Sequence, residues 1–280
     1  MGEWRKILYC QQKSFPDNYV SEKYFLSGLT VNHNLRKYSF KDSVLGASRF
    51  TLQLNIIFFF YLGHYFIMNN LLPLYSLVLI NIVVPISAIF LYWIGEGQNF
   101  TTHLTQVATQ SLFCCCLTYA VSPILRTLGR EIDTDSIYIA SGLFFSLSIV
   151  FHDFGLSSPI VNMNFSTNIS LAASILLISR VNNNADSYFL LVLSYGLFNT
   201  FPNINLFIRE HFQPNFPFIA SSIISTIISI FLYNTYFPLF VSYIFLHIFL
   251  LLVIPTIFVN MQSFKNVIHG PWDEATVNKK

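Results

Sequence analysis

The sequence predicts an all-α, polytopic membrane protein: a transmembrane bundle of about eight helices with a short cytosolic N-terminal segment. Three observations carry that prediction. Only 10% of the 280 residues are charged and 54% are hydrophobic, whereas soluble domains carry roughly 25% charged residues. Mean hydropathy is +0.55. Between Phe50 and Val259, Lys and Arg are confined to Arg126, Arg130, Arg180 and Arg209. The 30 Phe and 15 Tyr are incompatible with a disordered chain.

Crossing the hydrocarbon core takes about 20 mostly apolar residues. The apolar runs predict spans at roughly 50–68, 72–94, 104–124, 136–152, 167–181, 188–208, 217–234 and 236–259. Six or seven spans are the alternatives, because the fourth and fifth runs are short and Asn168, Ser170 and Ser174 dilute the fifth. Residues 1–49 then form a basic, amphipathic cytosolic segment, 50–259 the transmembrane domain and 260–280 a cytosolic tail. Several spans contain proline: Pro73, Pro85, Pro123, Pro202 and Pro255. Neighbouring helices re-satisfy the carbonyls that proline frees, and kinks are expected at Pro85 and Pro255.

Charge sets the expected orientation. Eight of the 15 Lys and Arg precede residue 50, against four acids there, which makes the N-terminal side cytosolic. An even span count brings the C-terminal Lys265, Lys279 and Lys280 to the same side. The loops fit less well, since Arg126, Arg130 and Arg180 then fall on the luminal side and Arg209 on the cytosolic side. The sequons at Asn99 and Asn164 fall in cytosolic loops and that at Asn168 at a membrane entry, so none should carry glycan. No cleavable signal peptide is expected. Cys114, Cys115 and Cys116 are consecutive, point in different directions on a helix and, with Cys10, make no ligand set; they are expected as small buried hydrophobes.

The ends carry interfacial chemistry. Trp4, Tyr9, Arg5 and Lys6 suit a headgroup zone, as an interfacial or docking helix or as an ordinary cytosolic tail. Near the other end Gly270 and Pro271 stop any helix before Trp272, Asp273 and Glu274.

Charge in the middle concentrates in "SPILRTLGREIDTDSIYIA", residues 122–140. The aspartates Asp133 and Asp135 could hold a divalent cation against a nucleotide-sugar diphosphate. Enzymes of that kind set the motif in a soluble nucleotide-binding domain, and no hydrophilic run here is long enough to build one. The simpler reading makes Asp135 the N-cap of a helix starting near Ser136. Arg126 and Arg130, four residues apart, share one helical face and either grip a lipid phosphate or a partner, or snorkel at a helix end. His152 and Asp153, in "VFHDFG", are an acid–base pair or, more simply, polar residues at a helix end before Gly155. His64, His103 and His247 are scattered singly, so no metal site is expected. Ionisable groups deep in the spans are nearly absent, against an ion pump. No phosphate-binding glycine loop occurs, against an ATP-driven transporter.

Five segments in order, "WRKILYCQQKSFPDNYV" (4–20), "SPILRTLGREIDTDSIYIA" (122–140), "FHDFG" (151–155), "STNISLAASILLISR" (166–180) and "GPWDEA" (270–275), resemble the type C subunit of the phosphatidylinositol N-acetylglucosaminyltransferase complex. The resemblance implies a multi-pass endoplasmic reticulum subunit of the complex that transfers N-acetylglucosamine from UDP-N-acetylglucosamine to phosphatidylinositol. This is the first step of glycosylphosphatidylinositol-anchor synthesis. It also implies a separate catalytic glycosyltransferase subunit of type A and further partners of types H, P, Q and Y. The chain itself is expected to be non-catalytic, without cofactor or metal, scaffolding the complex and helping to present the lipid. Trp4, Arg126, Arg130, Asp133, Asp135, His152, Asp153 and Trp272 are its candidate contacts to a lipid headgroup or a partner subunit. A stand-alone lipid carrier or transporter is the alternative, and a transferase using Asp133 and Asp135 a third reading.

Overall fold

The computed structural model describes residues 29–30, 37–71, 109, 113, 116–125, 127, 131–154, 163–266 and 276–277. Within them the regular structure is helical apart from one short strand pair. The helices are α1 (Phe40–Met68), α2 (Cys116–Leu125), α3 (Thr134–Val150), α4 (Met163–Ile178), α5 (Asn184–Tyr195), α6 (Phe201–His211), α7 (Phe216–Thr235), α8 (Phe237–Ile248) and α9 (Ile254–Met261). Five-residue π turns, Gly196–Thr200 and Phe249–Val253, join α5 to α6 and α8 to α9. Among the described residues, three helical stretches are long and apolar enough to cross a membrane: Phe40–Met68, Phe216–Thr235 and Phe237–Phe264. The predicted spans at 72–94 and 104–124 lie largely outside the described residues.

Residues cluster into two compact units, Lys41–Pro255 and Met1–Phe40 with Thr256–Lys280. In the smaller one, β1 (Leu29–Thr30) pairs antiparallel with β2 (Thr276–Val277). There Gln262 receives the Tyr38 N–H on Oε1 at 2.6 Å and donates Nε2 to the Tyr38 carbonyl at 2.9 Å.

In the larger unit α1 is central: half of its most apolar stretch is buried, against 22% for α7. A helix enclosed by other helices must be apolar or internally paired all round. Phe60 of α1, Phe145 of α3 and Phe198 of the first π turn meet at ring separations of 5.4 to 6.0 Å, with Leu177, Ile178 and Leu190 packed into the same core. The α3–α4 contact uses small residues. Ser141 and Ser148 of α3 and Ser166, Ser170, Ala173 and Ser174 of α4 are buried, and the Ser166 hydroxyl donates to the Ser148 carbonyl at 2.7 Å. Small residues let backbones approach closely in membrane bundles. The serines that weaken the fifth predicted span are thus its packing face.

Helix ends follow local chemistry. Asn70, at φ 53°, ends α1 in the left-handed region; Leu71 N–H reaches the Phe66 carbonyl at 2.9 Å and Asn70 N–H the Ile67 carbonyl at 3.1 Å, a Schellman closure. The expected cap of α3 shifts by two residues. Asp133, and not Asp135, occupies the N-cap, without a side-chain capping bond, while Asp135 sits in the first turn, where the helix dipole favours an acid. Asn164 lies in the first turn of α4 and not in a loop. Cys116 is exposed, contrary to the expected burial; Cys10, Cys114 and Cys115 lie outside the described residues.

Candidate functional site

Two polar constellations form in the larger unit. The first lies inside the bundle, where α1, α7 and α8 meet. Asn55 Nδ2 donates to the Ser221 carbonyl at 3.2 Å and to its hydroxyl at 3.1 Å. Asn55 Oδ1 receives the Tyr243 hydroxyl at 2.7 Å and faces His247 Nε2 at 2.9 Å. The Thr51 and Ser221 hydroxyls are 3.1 Å apart. Every partner here is a protein group on a neighbouring helix, the arrangement that ties helices together where no water is available. His64 is buried too, its Nε2 at 3.1 Å from the Leu177 carbonyl. Both histidines are buried and hydrogen-bonded within the bundle.

The second constellation is a cleft at one end of the bundle. Arg49 and Gln53 stand four residues apart on α1, as do Asn205 and Arg209 on α6, so each pair shares a helical face. The segment after α3 closes the third side with His152, Asp153 and Phe154, leaving a cavity of about 30 Å³. Arg49 Nη1 donates to the Phe154 carbonyl at 2.9 Å, and the Phe154 ring packs tilted against Phe50 at 5.8 Å and edge-on against His152 at 4.9 Å. Gln53 is buried. Asn205 Oδ1 is buried without a hydrogen-bond partner.

His152 is held from behind. Its Nδ1 lies 3.3 Å from the Ser166 hydroxyl, whose own proton goes to the Ser148 carbonyl. Nδ1 therefore donates, and Nε2 is left as an acceptor in the neutral ring. Burial pushes the imidazole down to about 4, against the opposing pull of the Asp153 carboxylate. A ring neutral at physiological pH is poised to accept hydrogen bonds and not to carry charge.

Among the described residues, the candidate contacts that line this cleft are His152 and Asp153. Asp133 and Asp135 are exposed at the opposite end of α3, where Arg180 Nη2 donates to the Ile132 carbonyl. Trp4, Arg126, Arg130 and Trp272 lie outside the described residues. Sequence reading missed Arg49, Gln53 and Asn205 altogether. Arg209 was legible only as one of the four basic residues within the apolar region. No group of three or more His, Cys, Asp or Glu able to hold a metal forms among the described residues.

Known proteins place the chain among relatives. The chain is 26% identical to the type C subunit of phosphatidylinositol N-acetylglucosaminyltransferase from Homo sapiens, over 99% of this chain and 94% of the human protein. It is 28% identical to the phosphatidylinositol N-acetylglucosaminyltransferase GPI2 subunit of Schizosaccharomyces pombe, over 97% of this chain and 86% of that protein. A Dictyostelium discoideum relative, named as a type C subunit of the same transferase, is 28% identical over 99% of this chain and 80% of its own length. No solved structure matches the chain. The family GPI2, described as phosphatidylinositol N-acetylglucosaminyltransferase, matches residues 4–273. With that match running through nearly every residue, the chain belongs to the GPI2 family.

Proposed function

We propose that this chain is a non-catalytic membrane subunit of the complex that transfers N-acetylglucosamine from UDP-N-acetylglucosamine to phosphatidylinositol, the first step of glycosylphosphatidylinositol-anchor biosynthesis. The observation that carries the reading is the match to relatives named as subunits of this transferase along 97–99% of the chain. A helical membrane chain whose sequence holds no hydrophilic run long enough for a nucleotide-sugar domain suits a supporting role. Its partners are then a catalytic type A subunit and subunits of types H, P, Q and Y, in the endoplasmic reticulum membrane.

About eight spans with both termini cytosolic complete the proposal. Arg49, His152, Asp153 and Arg209 then share the cytosolic face, since they line one cleft. The donor sugar nucleotide meets its acceptor on that face. The exposed Asp133 and Asp135 stand at the other end of the bundle, which argues against catalysis by that pair. Affinity capture of the full chain in mild detergent, with identification of every co-purifying protein, tests the assignment. Recovery of a glycosyltransferase-fold subunit is the expected result; capture of the chain with no such subunit overturns it and favours a stand-alone lipid carrier.

A further inference from the structure

We infer that the cleft between Arg49 and Arg209 holds the phosphate, and one hydroxyl, of a polyol phospholipid headgroup. This rests on the proposed membrane-subunit reading and deepens it, naming a lipid class and the residues that hold it.

The first support is depth. Arg49 directly precedes the apolar run that starts at Phe50, Arg209 directly follows the run that ends at Ile208, and His152 follows the end of α3. Three separate elements thus bring polar groups to one boundary of the apolar region, the level at which lipid phosphates lie. Basic pockets between membrane helices hold headgroups at that level. The second support is charge. Two guanidinium groups and one carboxyl group, Asp153, line one small cleft, so basic groups outnumber acidic ones there and a further anion is favoured, and the planar fork of each guanidinium matches phosphate oxygens.

The third support narrows the ligand. Asn205 Oδ1 is buried without a partner in the same cleft. An amide oxygen only accepts, so a fully ionised phosphate leaves it unpaired and a hydroxyl satisfies it. The nearby Asp153 carboxylate also disfavours a bare phosphate dianion. The cavity of about 30 Å³ has room for one or two oxygen-sized groups. A headgroup therefore lies across the mouth and sends a hydroxyl inward, while its acyl chains stay beside the bundle.

The test uses the full-length chain in phosphatidylcholine nanodiscs, titrated with short-chain phosphatidylinositol, phosphatidylglycerol, phosphatidylserine and phosphatidylcholine, and with inorganic phosphate. The two polyol lipids are expected to bind about tenfold more tightly than phosphatidylserine, and phosphatidylcholine most weakly of the four. Arg209→Gln should weaken all three anionic lipids about tenfold, with partial recovery in Arg209→Lys. Asn205→Leu should abolish the preference for polyol lipids without lowering the melting temperature, because removing an unpaired buried acceptor costs nothing in the empty cleft. Phosphatidylinositol binding no more tightly than phosphatidylcholine overturns the inference, as does Arg209→Gln binding like wild type. Inorganic phosphate matching phosphatidylinositol assigns the cleft to a free anion and overturns the lipid source. Should a variant melt early, the lipid ranking of the wild-type chain decides by itself. A chain that ranks the lipids as expected but captures no transferase subunit refutes the proposed function alone. A chain that joins the complex but does not discriminate among lipids refutes this inference alone.

Discussion

Asn55 Oδ1 accepts the Tyr243 hydroxyl at 2.7 Å in the buried seam between α1 and α8. That single oxygen also faces His247, while the amide nitrogen of the same side chain reaches Ser221. Asn55→Leu removes the hub and strands three polar partners. The expected loss is about 1–2 kcal/mol of stability in detergent, near the upper end for interhelical hydrogen bonds in membranes. Adding Tyr243→Phe to Asn55→Leu should cost less than the sum of the two single changes, because the stranded hydroxyl disappears with its acceptor. Thermal unfolding of the four chains measures the coupling; strict additivity would show that the seam is not a network.

The π turn before α6 has a chemical reason. Pro202 has no N–H and crowds the carbonyl four residues back, that of Phe198. The Thr167 hydroxyl donates to that carbonyl at 3.3 Å. Thr167→Val, nearly isosteric, is expected to cost about 1 kcal/mol. In a Pro202→Ala background, where a backbone N–H returns, the same substitution should cost measurably less. An equal cost in both backgrounds, by thermal or denaturant unfolding, would separate Thr167 from the proline.

The pH dependence follows from His152. Its folded value near 4 lies below the ordinary 6.5, so the unfolded chain takes up a proton that the folded chain resists. Stability from this group is full above about pH 6.5, falls as the pH drops toward 4, and levels off below that. The loss is on the order of 3 kcal/mol when complete. His152→Asn keeps a donor toward Ser166 and cannot titrate. Melting curves of the two proteins should differ more at pH 4.5 than at pH 7.5, with wild type losing more on acidification; parallel losses would refute the assignment.

Much of the fold was readable because hydropathy reports lipid contact directly. The runs at 217–234 and 236–259 match α7 and the stretch through α8 and α9 closely. The start of α1 was missed because Phe40 to Arg49 is helical without being apolar; a span prediction finds what lipid requires and is blind to helix beyond it. Similarly, Asn184 to Ser187 precede the predicted sixth span but belong to α5. The cleft was less legible. His152 and Asp153 drew attention as adjacent polar residues, yet their neighbours Arg49 and Arg209 come from distant helices that no local spacing connects. Asp133 and Asp135 attracted a catalytic reading through motif alone; both are exposed at the other end of α3, away from the cleft.

Orientation yields a prediction of its own. Gln213 is exposed just beyond α6, at the end that carries Arg209, and Asn183 is exposed just before α5, at the opposite end. With a cytosolic cleft, Gln213→Cys in sealed microsomes should react with an impermeant maleimide added outside, and Asn183→Cys should react only after permeabilisation. The native thiols must first be replaced. The reverse pattern inverts the proposed orientation.

The most direct measurement is transferase activity with UDP-N-acetylglucosamine and phosphatidylinositol, assayed on the chain purified alone and on the assembly captured through it. No turnover from the isolated chain, and turnover from the captured assembly that is lost when this subunit is removed, is the predicted outcome. Turnover by the isolated chain, or an assembly equally active without it, would contradict a required, non-catalytic subunit.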